Sequence, residues 1–355
     1  MTSHLFPHSL AKAKGFTLLE LLVAMSVTLL LLGMVTYMTG ASMDGYKGSR
    51  DKVVAGRQAK EALDAITKDF EAMVVRMDGS DNMWLYADVE PNLSTVLGGP
   101  AGKTITNASR LIFFTGASDR YDGDIGGTND NGGDVSAVAY RLAYRDQISG
   151  TAATAVGAFP SFTLYRHLVD PDATFTHLLG QVNLIAPVAP AVSQFTDALD
   201  FTAENVLAEN IYELTVTFLV QVPLYDDDVT PTKYMPYLLR ASVKYDAATL
   251  NNEVNQFKIA GNGISWAGKI KLPEGETILP NGIEVNFDTP SSPLNGYSID
   301  PDTIKKKGQL VGVEISMTVL SERGLVMTEK GGMTREDIIK DYGIHYTHSV
   351  NVPRF

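Results

Sequence analysis

The stretch "KGFTLLELLVAM", residues 14–25, decides the N-terminal structure because it opens a long apolar segment. From Phe16 to Met38 the only formally charged residue is Glu20. As an α-helix these residues would extend roughly 35 Å, at a rise of about 1.5 Å per residue. That length is sufficient to cross a bilayer, so the sequence predicts a transmembrane helix over residues 16–38.

The cost of placing Glu20 in lipid is smaller than the gain from its apolar neighbours. Twelve of residues 16–38 are Phe, Leu or Val. Together they favour insertion by roughly 4 to 7 kcal/mol, whereas one acid costs about 2.5 to 3.5 kcal/mol at the bilayer centre. Insertion is therefore favoured, but Glu20 needs a partner or a proton. Because Lys12 and Lys14 precede the span, the positive-inside rule predicts a cytoplasmic N-terminus and an extracytoplasmic chain after about residue 40.

Two other interpretations of this segment are open at the level of sequence. Thr39-Gly40-Ala41 could serve as the small-residue cleavage site of a secretory signal. An ordinary signal, however, has an apolar core of only about 7 to 15 residues and no reason to contain an acid. A plain uncleaved anchor is the second alternative, with Glu20 tolerated near the headgroups.

The run Lys14-Gly15-Phe16-Thr17-Leu18-Leu19-Glu20, followed by an uninterrupted apolar helix, resembles the class III leader of type IV prepilins and type II secretion pseudopilins. This resemblance implies that a prepilin peptidase cuts after Gly15 and methylates the new amino terminus at Phe16. It also implies an assembly role for Glu20, whose carboxylate would pair with the cationic amine of a neighbouring subunit. A buried charge is costly alone and tolerable when paired, which gives the acid a physical reason to favour packing beside another N-terminus.

Composition limits the classes of function. The net charge of the chain is −12, and removal of a leader that contains Lys12 and Lys14 but no acid would give −12 − 2 = −14. Such an acidic body repels phosphate backbones, so nucleic-acid binding is not expected. Since the chain has no cysteine, disulfides, thiolate metal sites and a cysteine nucleophile are all excluded.

The remainder of the chain predicts an α+β, pilin-like fold. An amphipathic continuation of the helix is predicted over residues 39–76; we expect it to loosen at Gly40, Gly45 and Gly48 and then to resume a helical period. Its apolar residues recur at spacings of four and three. We expect it to pack on an extracytoplasmic, antiparallel, β-rich domain over residues 77–355, either undivided or split into two subdomains near the Pro/Ala stretch 185–192. The apolar stripe of the helix is Ala59, Leu63, Ile66, Phe70 and Met73, and the clearest predicted strands are 110–115, 135–144, 162–168, 211–222, 237–245, 283–287 and 311–320.

The order of these segments is similar to that of larger minor subunits, the J-type pseudopilins and W-type minor pilins. The segments that carry this resemblance are "RLIFF" (110–114), "VAYRL" (138–142), "LYRHL" (164–168) and "LPNGIEV" (279–285). The large body is also similar to the proteins grouped as Verru_Chthon cassette proteins. Glu20 argues against the K-type tip subunit, which typically lacks that acid.

Signals for catalysis are weak, and we expect no enzymatic activity. "GGPAGKT" (98–104) is one residue too short for a phosphate-binding loop, and a β-like segment follows where a helix should begin. "GISWAG" (263–268) has one residue too many after Ser265 for a nucleophile elbow. We interpret His345 and His348 as surface histidines rather than a metal pair. The run Lys305-Lys306-Lys307 is interpreted as a solvated turn.

One loop has plausible ligand chemistry. Residues 119–134, "DRYDGDIGGTNDNGGD", offer hard oxygens suited to Ca²⁺ and glycines that let a backbone wrap an ion. The spacing is not that of an EF-hand, and the same residue types are typical of a solvated turn before a strand. We therefore favour a turn and keep calcium as the alternative; no other cofactor is expected. The candidate ligands are Asp122, Asp124, Asn129, Asp130, Asn131 and Asp134.

These observations favour a structural minor pilin or pseudopilin, placed near the tip of a filament of a type II secretion system or a type IV pilus. We expect a single-pass protein of the inner (cytoplasmic) membrane with a periplasmic globular domain. Its expected partners are prepilin peptidase, other pilin-like subunits bound through the N-terminal helix, and the inner-membrane assembly platform. The alternatives are an adhesive or substrate-binding tip subunit of a surface pilus and, less favoured, a membrane-tethered enzyme.

Overall fold

The computed structural model describes most of the chain after the leader. The chain divides into two units, Met1–Val53 and Val54–Phe355. The described residues are 17–89, 109–116, 135–146, 160–225, 234–244, 254–272, 277–280, 285–286, 294, 296–330 and 332–353.

Helix α1, Leu18–Glu71, runs without interruption through 54 residues. The expected loosening at Gly40, Gly45 and Gly48 is wrong, because all three positions are helical. One glycine costs a helix interior only about 1 kcal/mol relative to alanine, which does not outweigh the hydrogen bonds on either side. Each of the three also has open space beside it, so no packing constraint bends the helix there.

The amphipathic part of α1 packs on the β-rich unit, as the periodicity predicts. All five residues of the predicted stripe are buried, and Phe70 stacks on Phe113 with ring centroids 4.4 Å apart. The helix ends at Glu71 rather than at residue 76, since the next residues join the sheet. Met73 forms an isolated bridge with Thr115, and the Val74 N–H donates to the Phe114 carbonyl at 2.9 Å.

Among the described residues, thirteen strands form one sheet that is antiparallel except for a single β7–β8 bridge, and two short strands pair separately. The α+β prediction is therefore confirmed. The strands are β1 (Met83–Val89), β2 (Ser109–Thr115), β3 (Ser136–Asp146), β4 (Pro160–Leu168), β5 (Val206–Glu209), β6 (Ile211–Tyr225), β7 (Tyr234–Val243), β8 (Val254–Ala260), β9 (Gly263–Gly268), β10 (Ile270–Lys271), β11 (Thr277–Ile278), β12 (Val285–Asn286), β13 (Ser298–Ile299), β14 (Gln309–Leu320) and β15 (Gly343–Asn351).

The large sheet curls back on itself at Asn210. Its order is β12-β13-β6-β7-β8-β1-β2-β3-β4-β5, with β14 beside β6, β15 beside β14 and β9 beside β8. Strands β5 and β6 lie near opposite ends of this order, yet only Asn210 separates them in the chain. Asn210 has φ of 62°, a left-handed conformation that asparagine tolerates better than most residues. At this corner the chain passes from β5, at one end of the strand order, to β6, near the other end.

Short helices fill the connections. After β4 come α2 (Pro171–Ala173), a π-helical turn (Thr174–Leu178) and α3 (Asp197–Asp200), and later α4 (Pro301–Lys307), α5 (Glu322–Lys330) and α6 (Arg335–Tyr342). Thr334 caps the N-terminus of α6, because its hydroxyl oxygen accepts from the Asp337 N–H at 3.2 Å. Lys305–Lys307 form the last turn of α4, so the interpretation as a turn is wrong, although all three side chains are exposed as expected.

Each of the seven predicted strands is present, with ends displaced by a few residues. The strands that were not predicted are β1, β5, β8, β9, β10, β11, β13 and β15. The Pro/Ala stretch 185–192 lies inside the second unit, and strand β4 before it pairs with strand β5 after it. The sheet therefore continues on both sides of this stretch.

Candidate functional site

The acid of the opening stretch forms a capping box at the start of α1. The Thr17 backbone N–H donates to Glu20 Oε2 at 2.9 Å, and the Thr17 hydroxyl donates to the same oxygen at 3.0 Å. In return the Glu20 N–H donates to Thr17 Oγ1 at 3.2 Å. This reciprocal arrangement satisfies helix-end donors that would otherwise lack partners. Within a single chain, the Glu20 carboxylate therefore already has a local partner.

The first part of α1 presents an exposed apolar surface. Every residue from 17 to 50 is exposed, including Leu18 at 83% and Tyr37 at 79%. Its most apolar 18-residue window has a mean hydropathy of 2.4 and none of it is buried. Large exposed apolar surfaces of soluble proteins are rare, so this surface is suited to lipid or to the helices of other subunits.

Several hydroxyl residues in this apolar surface form hydrogen bonds within the helix. The side chains of four of them donate to the carbonyl of the residue four positions earlier, each at 2.8 Å. A membrane core offers no water to such groups, so internal bonding is what a spanning helix requires. These four residues are Ser26, Thr28, Thr36 and Thr39.

The last turns of α1 carry a buried charge, Asp69, which is 1% exposed. Arg166 on β4 donates to both carboxylate oxygens of Asp69, from Nε and from Nη2, each at 2.8 Å. The Tyr140 hydroxyl on β3 also donates to Asp69. Because each carboxylate oxygen has a donor, the buried charge is paired and hydrogen-bonded. We call these three residues the anchor network, since they hold α1 to the sheet.

Burial raises the pKa of Tyr140 well above its usual value, and the negative charge of Asp69 raises it further. The tyrosine therefore keeps its proton and remains a hydrogen-bond donor to Asp69. A second bond fixes the same turn of the helix, because the Thr115 hydroxyl on β2 donates to the Asp69 carbonyl at 3.0 Å. Strands β2, β3 and β4 thus all hold one residue of α1.

Comparison with known families identifies the N-terminal segment. Residues 10–36 match the model of the prokaryotic N-terminal methylation motif. The chain carries a class III prepilin leader. This match supports a protein of the type IV pilin-like or pseudopilin-like kind, and the apolar helix fits a single-pass membrane anchor. Beyond this motif, no curated protein and no solved structure matches the chain.

The anchor network unites two of the sequence segments quoted above. Tyr140 is the tyrosine of "VAYRL", and Arg166 is the arginine of "LYRHL". Their partner was missed, because the sequence places Asp69 among the charged residues between the stripe positions. The available signal was its position directly before Phe70 and three residues after Ile66, within the arc that the helix buries. A lone acid in that arc requires a cationic partner.

The opposite face of β3 and β4 carries a second charged cluster. Arg141 donates to Asp200 at 2.7 Å and lies 3.0 Å from Asp197. His167 Nδ1 lies 2.7 Å from the other oxygen of Asp200, and the Arg141 guanidinium stands 4.5 Å from the centre of the Phe201 ring. Asp200 is 1% exposed, so this cluster fixes the segment after β4 to the sheet. It also explains why both faces of β3 are buried.

Several predicted site residues lie outside the described part of the chain. These are Gly15 and Phe16, and the candidate calcium ligands Asp122, Asp124, Asn129, Asp130, Asn131 and Asp134. The stretch 98–104 lies outside it as well. Among the residues that are described, no group of three or more His, Asp or Glu side chains is placed to hold a metal ion.

The remaining candidates for chemistry do not converge. Ser265 lies within strand β9, and His345 and His348 are both exposed on β15, an odd number of positions apart and therefore on opposite faces of the strand. An open cavity of about 380 Å³ lies beside Lys305–Lys307. Its described lining contains these three lysines but no acid or histidine, so it does not supply an acid–base pair.

Proposed function

We propose that the chain is a minor subunit of a pilin-like filament, either the pseudopilus of a type II secretion system or a type IV pilus. In this proposal it resembles the J-type and W-type subunits, lies near the filament tip, and acts through contact rather than catalysis. One observation carries the proposal: the methylation motif is joined to an apolar helix whose surface is completely exposed in the single chain.

Processing would remove the leader and leave a new N-terminus that can take part in assembly. Prepilin peptidase would cut between Gly15 and Phe16 and methylate the Phe16 amine, which keeps its positive charge. The capping box uses only Thr17 and Glu20, so it survives the cut. Before assembly Thr17 satisfies the Glu20 carboxylate; in the filament a neighbouring amine would pair with it. A charge pair removed from water is stable only when both partners are present, so this step favours stacking of N-termini.

The first and second parts of α1 would then have separate roles. Residues 17–38 would lie in the inner membrane, and this part of α1 would pack against other pilin-like subunits and the assembly platform. The anchor network would hold the second part of α1 to the sheet, so that the periplasmic domain follows its helix into the filament. Asp69, Tyr140 and Arg166 are thus proposed as positioning residues, which bind no ligand themselves.

The variant Glu20→Gln tests the assembly role. We expect the protein to remain in the membrane, because loss of an acid makes insertion easier, but to copurify poorly with its filament partners. The matched control is Glu61→Gln, which removes an exposed acid from the second part of the same helix. Normal copurification of Glu20→Gln, or an equal loss in both variants, would contradict the proposed role of Glu20.

A further inference from the structure

The open cavity beside the lysine run is lined by the turn from β8 to β9 and by the last turn of α4. Its volume of about 380 Å³ is within the range of small-ligand sites, which is about 300 to 1,000 Å³. Besides Lys305, Lys306 and Lys307, its described lining consists of apolar side chains, glycines and the amide side chains of Asn262 and Gln309. We call this space the lysine cavity.

The main chain on two sides of the lysine cavity is held in a fixed position. A Cβ atom at Gly263, where φ is 127°, would overlap the Lys305 carbonyl oxygen. A Cβ atom at Gly261 would overlap the Asp78 carboxylate, and the Gly261 carbonyl accepts from the Gly79 N–H at 2.9 Å. Because only glycine permits these approaches, the turn from β8 to β9 packs directly against the last turn of α4.

The acids nearest to the β8–β9 turn bind neutral donors and do not line the cavity. Asp78 accepts from the Ser80 N–H at 2.9 Å and from the Ser80 hydroxyl at 2.5 Å. Asp81 accepts from the side-chain amide of Asn262. Neither carboxylate forms an ion pair with a lysine of the cavity among the described residues.

The three lysines are also poorly neutralised within the described part of the chain. Lys305 has no acidic partner there within 4 Å. Lys306 lies 3.7 Å from Asp302, but both side chains are largely exposed, and such a pair contributes little. Lys307 donates to the Tyr225 hydroxyl at 3.0 Å and stands 4.6 Å from the centre of that ring, which fixes its position without removing its charge.

We propose that the lysine cavity binds a small oxyanion with two or more negative charges, carried by phosphate or carboxylate groups. A cleft lined by one sign of charge concentrates the field and attracts counter-ions, and each ammonium group offers three N–H donors to oxygen. The dipole of α4 also favours lysine at its last turn. That effect does not account for three adjacent cations beside a cavity whose described lining contains no acid. The site does not depend on the proposed assembly into a filament.

Equilibrium dialysis of the full chain in an uncharged detergent tests the site, with pyrophosphate and citrate as the probes. We expect saturable binding of at least one probe, with one molecule bound per chain. The probe that binds more tightly identifies the group, phosphate or carboxylate, that the cavity prefers. Absence of saturable binding of both probes at millimolar concentrations would overturn the proposal.

Substitutions of single lysines distinguish this site from a general effect of charge. Lys305→Gln should raise the dissociation constant of the bound probe about tenfold, whereas Lys305→Arg keeps the charge and should raise it much less. The matched control is Lys330→Gln, which removes an exposed lysine from the last turn of α5, outside the cavity, and should leave the constant unchanged. The proposal is also overturned if Lys305→Gln binds like the parent chain, or if Lys330→Gln weakens binding equally.

Discussion

Asp69 on α1 and Arg166 on β4, which are 97 positions apart in the sequence, form a bidentate ion pair with both hydrogen bonds at 2.8 Å. The hydroxyl of Tyr140 completes the shell of the same carboxylate. A buried ion pair gives little net stability compared with apolar packing, but it has a strict geometry. We infer that this network fixes the rotation and register of the second part of α1 on the sheet, which apolar contacts alone would leave less tightly defined.

Replacement of Asp69 by asparagine should destabilise the β-rich unit strongly. Asp69→Asn leaves the buried Arg166 guanidinium without a counter-charge, and we expect the free energy of unfolding to fall by about 3 to 5 kcal/mol. Denaturant unfolding of the full chain in detergent measures this. Asp64→Asn, an exposed acid on the same helix, should change the free energy by less than about 0.5 kcal/mol. Similar effects of the two substitutions would show that the anchor network has no energetic role.

Stability should decrease in strongly alkaline solution because of buried tyrosines. Burial raises the pKa of Tyr86 to about 12, with the Asp88 charge adding to the shift, whereas an unfolded tyrosine titrates near 10. The folded state therefore retains a proton that the unfolded state loses. This contribution to stability is complete below about pH 10 and disappears as the pH rises towards 12. Burial and Asp69 shift the pKa of Tyr140 in the same direction.

The pH dependence can be assigned by substitution. Unfolding free energies measured from pH 8 to about 12 should fall less steeply in Tyr86→Phe than in the parent chain, since one linked proton is removed. Tyr46→Phe, which changes an exposed residue of α1 (72% exposed), should leave the slope as it is. A slope that is the same in the parent and in Tyr86→Phe would contradict the assignment to Tyr86.

The loop over residues 119–134 is expected to act as a turn, with calcium binding as the alternative. A ligand that binds only the folded state raises its apparent stability in proportion to occupancy. We therefore expect the melting temperature of the full chain to be unchanged by millimolar Ca²⁺. A shift of several degrees that Asp122→Ala and Asp124→Ala abolish would replace the turn with a calcium site.

Local patterns in the sequence were sufficient to predict much of the fold. The stripe from Ala59 to Met73 has the period of a helix with one buried face, and the structure buries it. The predicted strand 135–144 has apolar residues at alternate positions, including Val138, Tyr140 and Leu142, and it forms β3. Such signals succeed because each depends only on residues a few positions apart.

What the sequence did not predict depends on distant residues. Strand β15, "GIHYTHSVN", is mostly exposed and polar, so it has little apolar alternation, and its register comes from pairing with β14. Aspartate is usually found at exposed positions of a helix, so its type alone does not indicate that Asp69 is buried. Only the fold brings Arg166 and Tyr140 to it. Burial of the second face of β3 also depends on a distant residue, because Arg141 on that face binds Asp200, which lies 59 positions later in the chain.

The mass of the mature N-terminal peptide tests the central claim most directly. The account predicts that the chain recovered from membranes of a host with an active prepilin peptidase begins at Phe16 and carries an N-methyl group, and that Gly15→Ala (the residue before the cut) reduces this product. A chain that begins at Ser42, as an ordinary signal peptidase would leave it, or one that retains its leader in that host, would contradict the pilin-like account.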